Sequence, residues 1–96
     1  MKKDDVIQAL RLFKNLKGDK YGIVSIGFFG SAARGTMDDK SDIDVVVVLG
    51  KPDMLNLVGI KQDLEEEFQC HVDLVRYREK MNPFLKKRIE KEAVYV

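Results

Sequence analysis

The sequence predicts an α/β (α+β) fold in which helices pack over a small mixed β-sheet. Three observations carry this expectation. Apolar residues recur at helical spacing in separate segments, those segments alternate with β-branched and aromatic runs, and glycines punctuate the junctions. The expected order is α-β-(short α)-β-α-β-α, with a short strand or an apolar plug at the end.

In residues 4–17, Val6, Leu10 and Phe13, with Ile7, Ala9, Leu12 and Leu16 alongside, describe one helix. Asp4 or Asp5 is its expected cap and Gly18 its expected end. Residues 21–29 (YGIVSIGFF) read as a strand, with one of Phe28 and Phe29 buried and the other propping the next loop. Residues 30–35 (GSAARG) read as a tight turn into one or two helical turns that Gly35 closes, and 36–41 (TMDDKS) as a polar loop. Residues 42–49 (DIDVVVVL) form the strongest strand, its four valines suited to burial on both faces. GKPD breaks it. Met54, Leu57, Val58, Lys61, Leu64 and Phe68 then make a helical stripe, with Glu65, Glu66 and Glu67 outside. Residues 71–77 are a short strand. Pro83 suits the first turn of a last helix with Leu85 and Ile89 inward and its basic residues outward, and AVYV is the terminal strand or plug.

The 96 residues, 45% of them hydrophobic, suit one domain (1–96) with a modest core. With 17 Lys+Arg against 16 Asp+Glu the net charge is +1, which disfavours a disordered charged tail and a nucleic-acid partner bound by bulk charge. Charge is nonetheless segregated: residues 36–44 carry four aspartates and one lysine, residues 76–92 seven basic and three acidic side chains. Cys70 alone excludes an internal disulfide, and with His71 it makes no zinc-finger ligand set; ordinary packing is expected of both. The longest apolar run, residues 45–49, is too short to span a bilayer, and the MKKDDV start lacks an apolar signal core. A soluble, cytoplasmic domain with no membrane partner is expected, leaning on a partner or an oligomer.

Three groups of residues carry chemistry. Asp42 and Asp44 stand two apart at the start of the strongest strand, so they share a face about 6.5–7 Å apart while Ile43 and Val45 turn into the core. Two carboxylates so placed suit a hard divalent cation, Mg2+ with Mn2+ as substitute, which keeps substrate phosphates in its shell. Gly30-Ser31, at a strand-to-helix turn, lets backbone N–H groups and a hydroxyl approach a phosphate. Arg34 could touch that phosphate or clamp the acids before the strand. Asp73, in the last strand, joins Asp42 and Asp44 if that strand lies beside theirs, and three converging carboxylates are costly unless cations fill the cluster. Two metals there would activate a hydroxyl nucleophile, with Asp73 the natural acceptor of its proton, and steady a leaving pyrophosphate.

Gly30 to Gly35, then Ser41-Asp42-Ile43-Asp44-Val45, then Val72-Asp73-Leu74 resemble the signature of the DNA polymerase beta nucleotidyltransferase superfamily. The close form, GSxARG followed by SDIDV, is similar to its minimal nucleotidyltransferases, the MNT antitoxins of HEPN–MNT pairs. The resemblance implies a polymerase-beta-like palm and metal-dependent transfer of a nucleoside monophosphate, AMP from ATP, with Gly30 and Ser31 on the triphosphate, Asp42 and Asp44 on two metals, and Asp73 as the third carboxylate. It implies as acceptor a tyrosine of a HEPN toxin, silenced within a hetero-oligomer. Larger relatives carry an acceptor-gripping domain for which these 96 residues leave no room. Two other readings stand beside it: a non-catalytic module that masks a partner, and transfer to a small molecule or an RNA end. Lys86, Lys87, Arg88 and Lys91 make either a solvated helix face or a dock for an acidic partner or RNA.

Overall fold

The computed structural model describes residues 2–36 and 42–96, so most of the expected polar loop, with Ser41, lies outside the described residues. Along the chain run α1 (Lys3–Tyr21), β1 (Ile23–Phe29), α2 (Ser31–Arg34), β2 (Ile43–Leu49), α3 (Met54–Phe68), β3 (Val72–Arg76), α4 (Pro83–Glu92) and β4 (Val94–Tyr95). The sheet order is β3-β2-β1-β4. β1 is antiparallel to both β2 and β4, and β3 is parallel to β2 across the α3 crossover, which makes the expected mixed sheet.

β2 lies inside the sheet and is buried on both faces, as its valines require. Ile43, Val45, Val47 and Leu49 enter the main core with Val6, Leu10 and Phe13 of α1 and Ile60, Leu64 and Phe68 of α3. Val46 points the other way, onto Phe29 and Ile89, with Val75, Met81 and Leu85 half-buried around them. Helices α1 and α3 therefore cover one face and α4 the other, each fully buried aliphatic side chain contributing about 1.5–3 kcal/mol. Phe28 and Phe29 are both buried, on opposite faces, so the expected division into a buried ring and a loop-propping ring does not occur.

Gly18 does not end α1. The helix continues to Tyr21 and closes at Gly22, in the left-handed region at φ 67°, whose N–H points to the Asp19 and Gly18 carbonyls. The Tyr21 ring stacks on Phe13 at 6.2 Å and its hydroxyl donates to Asp63 Oδ2 of α3 at 2.6 Å. That packing outweighs the roughly 1 kcal/mol cost of one interior glycine, and the strand starts at Ile23 rather than Tyr21. The N-cap is Lys2, whose backbone N–H donates to the Asp5 carboxylate at 2.9 Å.

The α3 stripe is also turned from the expected one. Ile60, Leu64 and Phe68 are buried, whereas Met54 and Val58 are 74% and 47% exposed. β3 is the edge of the sheet, so the first turns of α3 find no layer to cover, and Met54, Val58 and Lys61 border an open depression with Leu74 and Arg76. Cys70 is half-buried against the main core. The AVYV end is a strand: Val94 and Tyr95 pair with Phe28 and Gly27, and the Val96 N–H donates to the Ile26 carbonyl at 3.0 Å. Among the described residues no helix is long and apolar enough to cross a membrane.

Candidate active site

The site forms where β1 ends and β2 and β3 begin. Phe29 pairs with Asp44, so the Gly30-Ser31 turn lies next to that aspartate. Asp44 pairs in turn with Asp73 in the parallel register, and Ile43 with Val72. Ile43 and Val72 belong to the main core, so alternation puts Asp44 and Asp73 on the α4 face. Carboxylates 29 residues apart in sequence become lateral neighbours through one register.

Asp42 completes the group, together with a residue the sequence did not single out. His71 was expected to pack. Its side chain is instead 52% exposed, with Nδ1 3.5 Å from both Asp42 Oδ2 and Asp73 Oδ1 and Nε2 3.9 Å from Glu65 Oε2. One ligand atom from each of Asp42, His71 and Asp73 lies within 4.8 Å of the others. Asp44 sits deeper. Burial pushes its carboxyl pKa up, Arg88 opposes, Asp73 and Asp42 push further up, and Arg34 opposes more weakly.

The turn itself requires glycine. Gly30 adopts φ 71°, ψ −145°, and a methyl group there would collide with Asp44 Oδ2 and lie 3.0 Å from Arg88 Nη2. Its carbonyl accepts the Arg34 N–H at 3.0 Å, which starts α2, and the Ser31 carbonyl accepts the Thr36 N–H at 3.0 Å. Its own N–H donates to Glu92 Oε2 at 3.3 Å. Arg34 meets the same carboxylate, Nη1 donating to both oxygens at 3.2 Å. Arg88 donates from Nε to Glu92 at 3.4 Å, holds Nη2 3.9 Å from Asp44 Oδ2, and lies over the Phe29 ring at 5.4 Å. Burial disfavours the charged Glu92, but Arg34, the Gly30 N–H and Arg88 together outweigh it and hold the carboxyl below its ordinary pKa.

Arg88 and Glu92 are thus part of the site, although the basic run reads more readily as a solvated face than as a dock. One signal could have found them. They stand at helical spacing from Leu85 and Ile89, on the inward side of α4 rather than the outward one. Chemically, a solvent-open cluster of carboxylates with one imidazole accepts a divalent cation, and an amide N–H beside two guanidiniums accepts an anion. Side by side they suit a metal-bound phosphate.

A nucleotidyltransferase domain model matches residues 10–96. A relative from Methanocaldococcus jannaschii, provisionally named a protein adenylyltransferase, is 35% identical over 95 residues, covering 96% of this chain and 95% of the relative. A structure provisionally described as a minimal nucleotidyltransferase superposes with a TM-score of 0.77 at 27% identity, over 98% of this chain and 95% of the other. A chain of a toxin–antitoxin crystal structure with AMP-PNP gives 0.70 at 25% identity, over 99% and 72%. The fold recurs, at a TM-score of 0.61 and 22% identity over 97% and 66%, in a complex of an MNT antitoxin with a tri-AMPylated HEPN toxin from Shewanella oneidensis.

Proposed function

The chain belongs to the nucleotidyltransferase domain family, and from that premise we propose that it is a protein adenylyltransferase of the MNT antitoxin type. It moves AMP from ATP to a tyrosine hydroxyl of a HEPN-type toxin in the cytoplasm, releases pyrophosphate and silences the toxin. The whole chain, 1–96, is read as one minimal nucleotidyltransferase domain. The observation that carries this reading is the register that sets Asp44 beside Asp73, with the Gly30-Ser31 turn packed on Asp44.

The donor set fits the metal the family implies. It is rich in carboxylate oxygen and partly desolvated at Asp44, where burial above all, with Asp73 and Asp42 adding to it, raises the carboxyl pKa despite Arg88. Asp42, Asp44 and Asp73 would hold it. Divalent ions bound there, Mg2+ or Mn2+, would supply positive charge against the triphosphate and make the acceptor hydroxyl more acidic. The Gly30 backbone and the Ser31 hydroxyl cradle the phosphates, and Arg34 adds a cation at the same mouth. The acceptor oxygen forms its bond to the α-phosphorus as the bond to the bridging oxygen of pyrophosphate breaks. Asp73 receives the hydroxyl proton. Asp42 and Asp73 are 54% and 51% exposed at their side chains, so a tyrosine presented by a second protein reaches them from solvent.

Intact mass spectrometry tests this: the HEPN partner is incubated with the protein, each NTP in turn and Mg2+, beside an Asp44→Asn control. One or more added AMP masses, absent in the control, are expected. A stable complex with no mass gain would replace this reading with that of a masking module.

A further inference from the structure

α4 brings two opposite charges, one turn apart, to the two poles of the site. Glu92 lays its carboxylate on the donors gathered at the end of β1: the Gly30 N–H at 3.3 Å, Arg34 Nη1 at 3.2 Å and Arg88 Nε at 3.4 Å. Arg88 meanwhile sets Nη2 3.9 Å from Asp44 Oδ2. The helix that carries them is fixed between two anchors. Ile89, 1% exposed, is buried on Phe29 and Val46, and β4 immediately beyond Glu92 pairs with β1. An amide N–H and two guanidiniums converging on one anionic group are the donors a phosphate oxygen requires. A guanidinium against the most buried member of an acidic cluster supplies the charge that a cation would supply.

We propose that Arg88 and Glu92 are a built-in stand-in for the metal–nucleotide complex. Glu92 holds the phosphate position and Arg88 the neighbourhood of Asp44 until nucleotide arrives, displaces Glu92 and takes Arg88 as a phosphate ligand. The proposal rests on the nucleotidyl-transfer reading of the site. A triphosphate offers the two guanidiniums more negative charge than one carboxylate does, so the exchange favours nucleotide. Glu92 is an internal competitor, and Arg88 a nucleotide-binding residue.

The two residues therefore have opposite expectations. Glu92→Gln removes the competing charge and tightens ATP binding about tenfold, while Arg88→Met, which keeps an apolar stem over Phe29, weakens it about tenfold. Calorimetric titration with ATP and Mg2+ measures both. The Gly30 amide resonance gives a second readout: it shifts on Glu92→Gln in the free protein, and at ATP saturation it reaches nearly the same position in variant and wild type. Glu92→Asp keeps the charge but draws it back from the Gly30 N–H, and should tighten binding a few-fold, which covers the case where Glu92→Gln fails to fold. Weaker or unchanged binding in the Glu92 variants overturns the stand-in. Unchanged or tighter binding in Arg88→Met overturns the transfer of Arg88 to phosphate. Folded wild-type protein that binds no NTP with Mg2+ overturns the nucleotidyl-transfer reading itself, and this proposal with it.

Discussion

Replacing Gly30 by alanine should damage the site and the fold together, and Gly22→Ala separates the two. Both glycines have positive φ, 71° and 67°. Gly22 sits in the left-handed helical region, where a side chain costs about 1–2 kcal/mol, and a Cβ there meets nothing within 4 Å. Gly30, with ψ −145°, lies close to the region almost reserved for glycine, where strain runs to about 1–3 kcal/mol. Its added methyl would also strike Asp44 Oδ2 and lie 3.0 Å from Arg88 Nη2. The register of β2 with Phe29 and Asp73 fixes the Asp44 backbone, so its carboxylate can make room only by turning away from the position it holds in the site. Overpacking adds about 1–3 kcal/mol, so Gly30→Ala should cost about 2–6 kcal/mol of a total stability of about 5–14 kcal/mol for this length. Thermal denaturation should show the larger loss for Gly30→Ala, each kcal/mol lowering the melting temperature by about 4–8 °C. ATP titration in the cold, with both variants folded, should show binding retained in Gly22→Ala and lost in Gly30→Ala. Equal melting losses, or equal ATP affinity in the two variants, would refute the packing of the turn on Asp44.

Three further outcomes are expected. Ser31→Ala should weaken ATP binding about five-fold, since one hydroxyl contact of about 1 kcal/mol goes while the backbone cradle stays; unchanged affinity by titration would put the phosphates elsewhere. The Tyr21 hydroxyl bond to Asp63 holds the phenol pKa up at about 12 and, with Lys17, the Asp63 carboxyl below its ordinary value. Its stabilisation is then fully present below pH about 10 and lost as pH rises from there towards 12, while that of Asp63 is lost as pH falls through its lowered value. Urea denaturation across pH should show both losses in wild type, with the alkaline one smaller in Tyr21→Phe but not gone, because Tyr77, bonded to Glu90, is raised as well. Ile89→Ala should cost about 2–4 kcal/mol by chemical denaturation, because the side chain is buried against Phe29 and Val46; a loss under 1 kcal/mol would mean that α4 is not anchored through it.

Much of the fold could be read from local pattern. Four valines between aspartates and a glycine specify a strand buried on both sides, and Pro83 marks the first turn of α4. Asp44 and Asp73 were legible because each sits inside a strand, where alternation fixes its face once the neighbours are known, and Asp42 because it immediately precedes one. What escaped was decided by distant packing. Gly18 stays helical because Tyr21, three residues on, reaches α3. The exposed Met54 follows from β3 being an edge, which periodicity within α3 cannot report. Glu92 meets Gly30 across 62 residues, and nothing near either residue in sequence announces the meeting.

The alternation along β2 separates two kinds of constraint. Residues 43, 45, 47 and 49 face the main core, whereas 42 and 44 face the chemistry. In a saturation scan the first set should register as changes in protein abundance and the second as loss of activity in well-folded protein, so neighbouring codons would give opposite phenotypes. Change at 42 or 44 thus alters the site, while the odd-numbered residues, with Val46 on the α4 face, go on specifying the same fold.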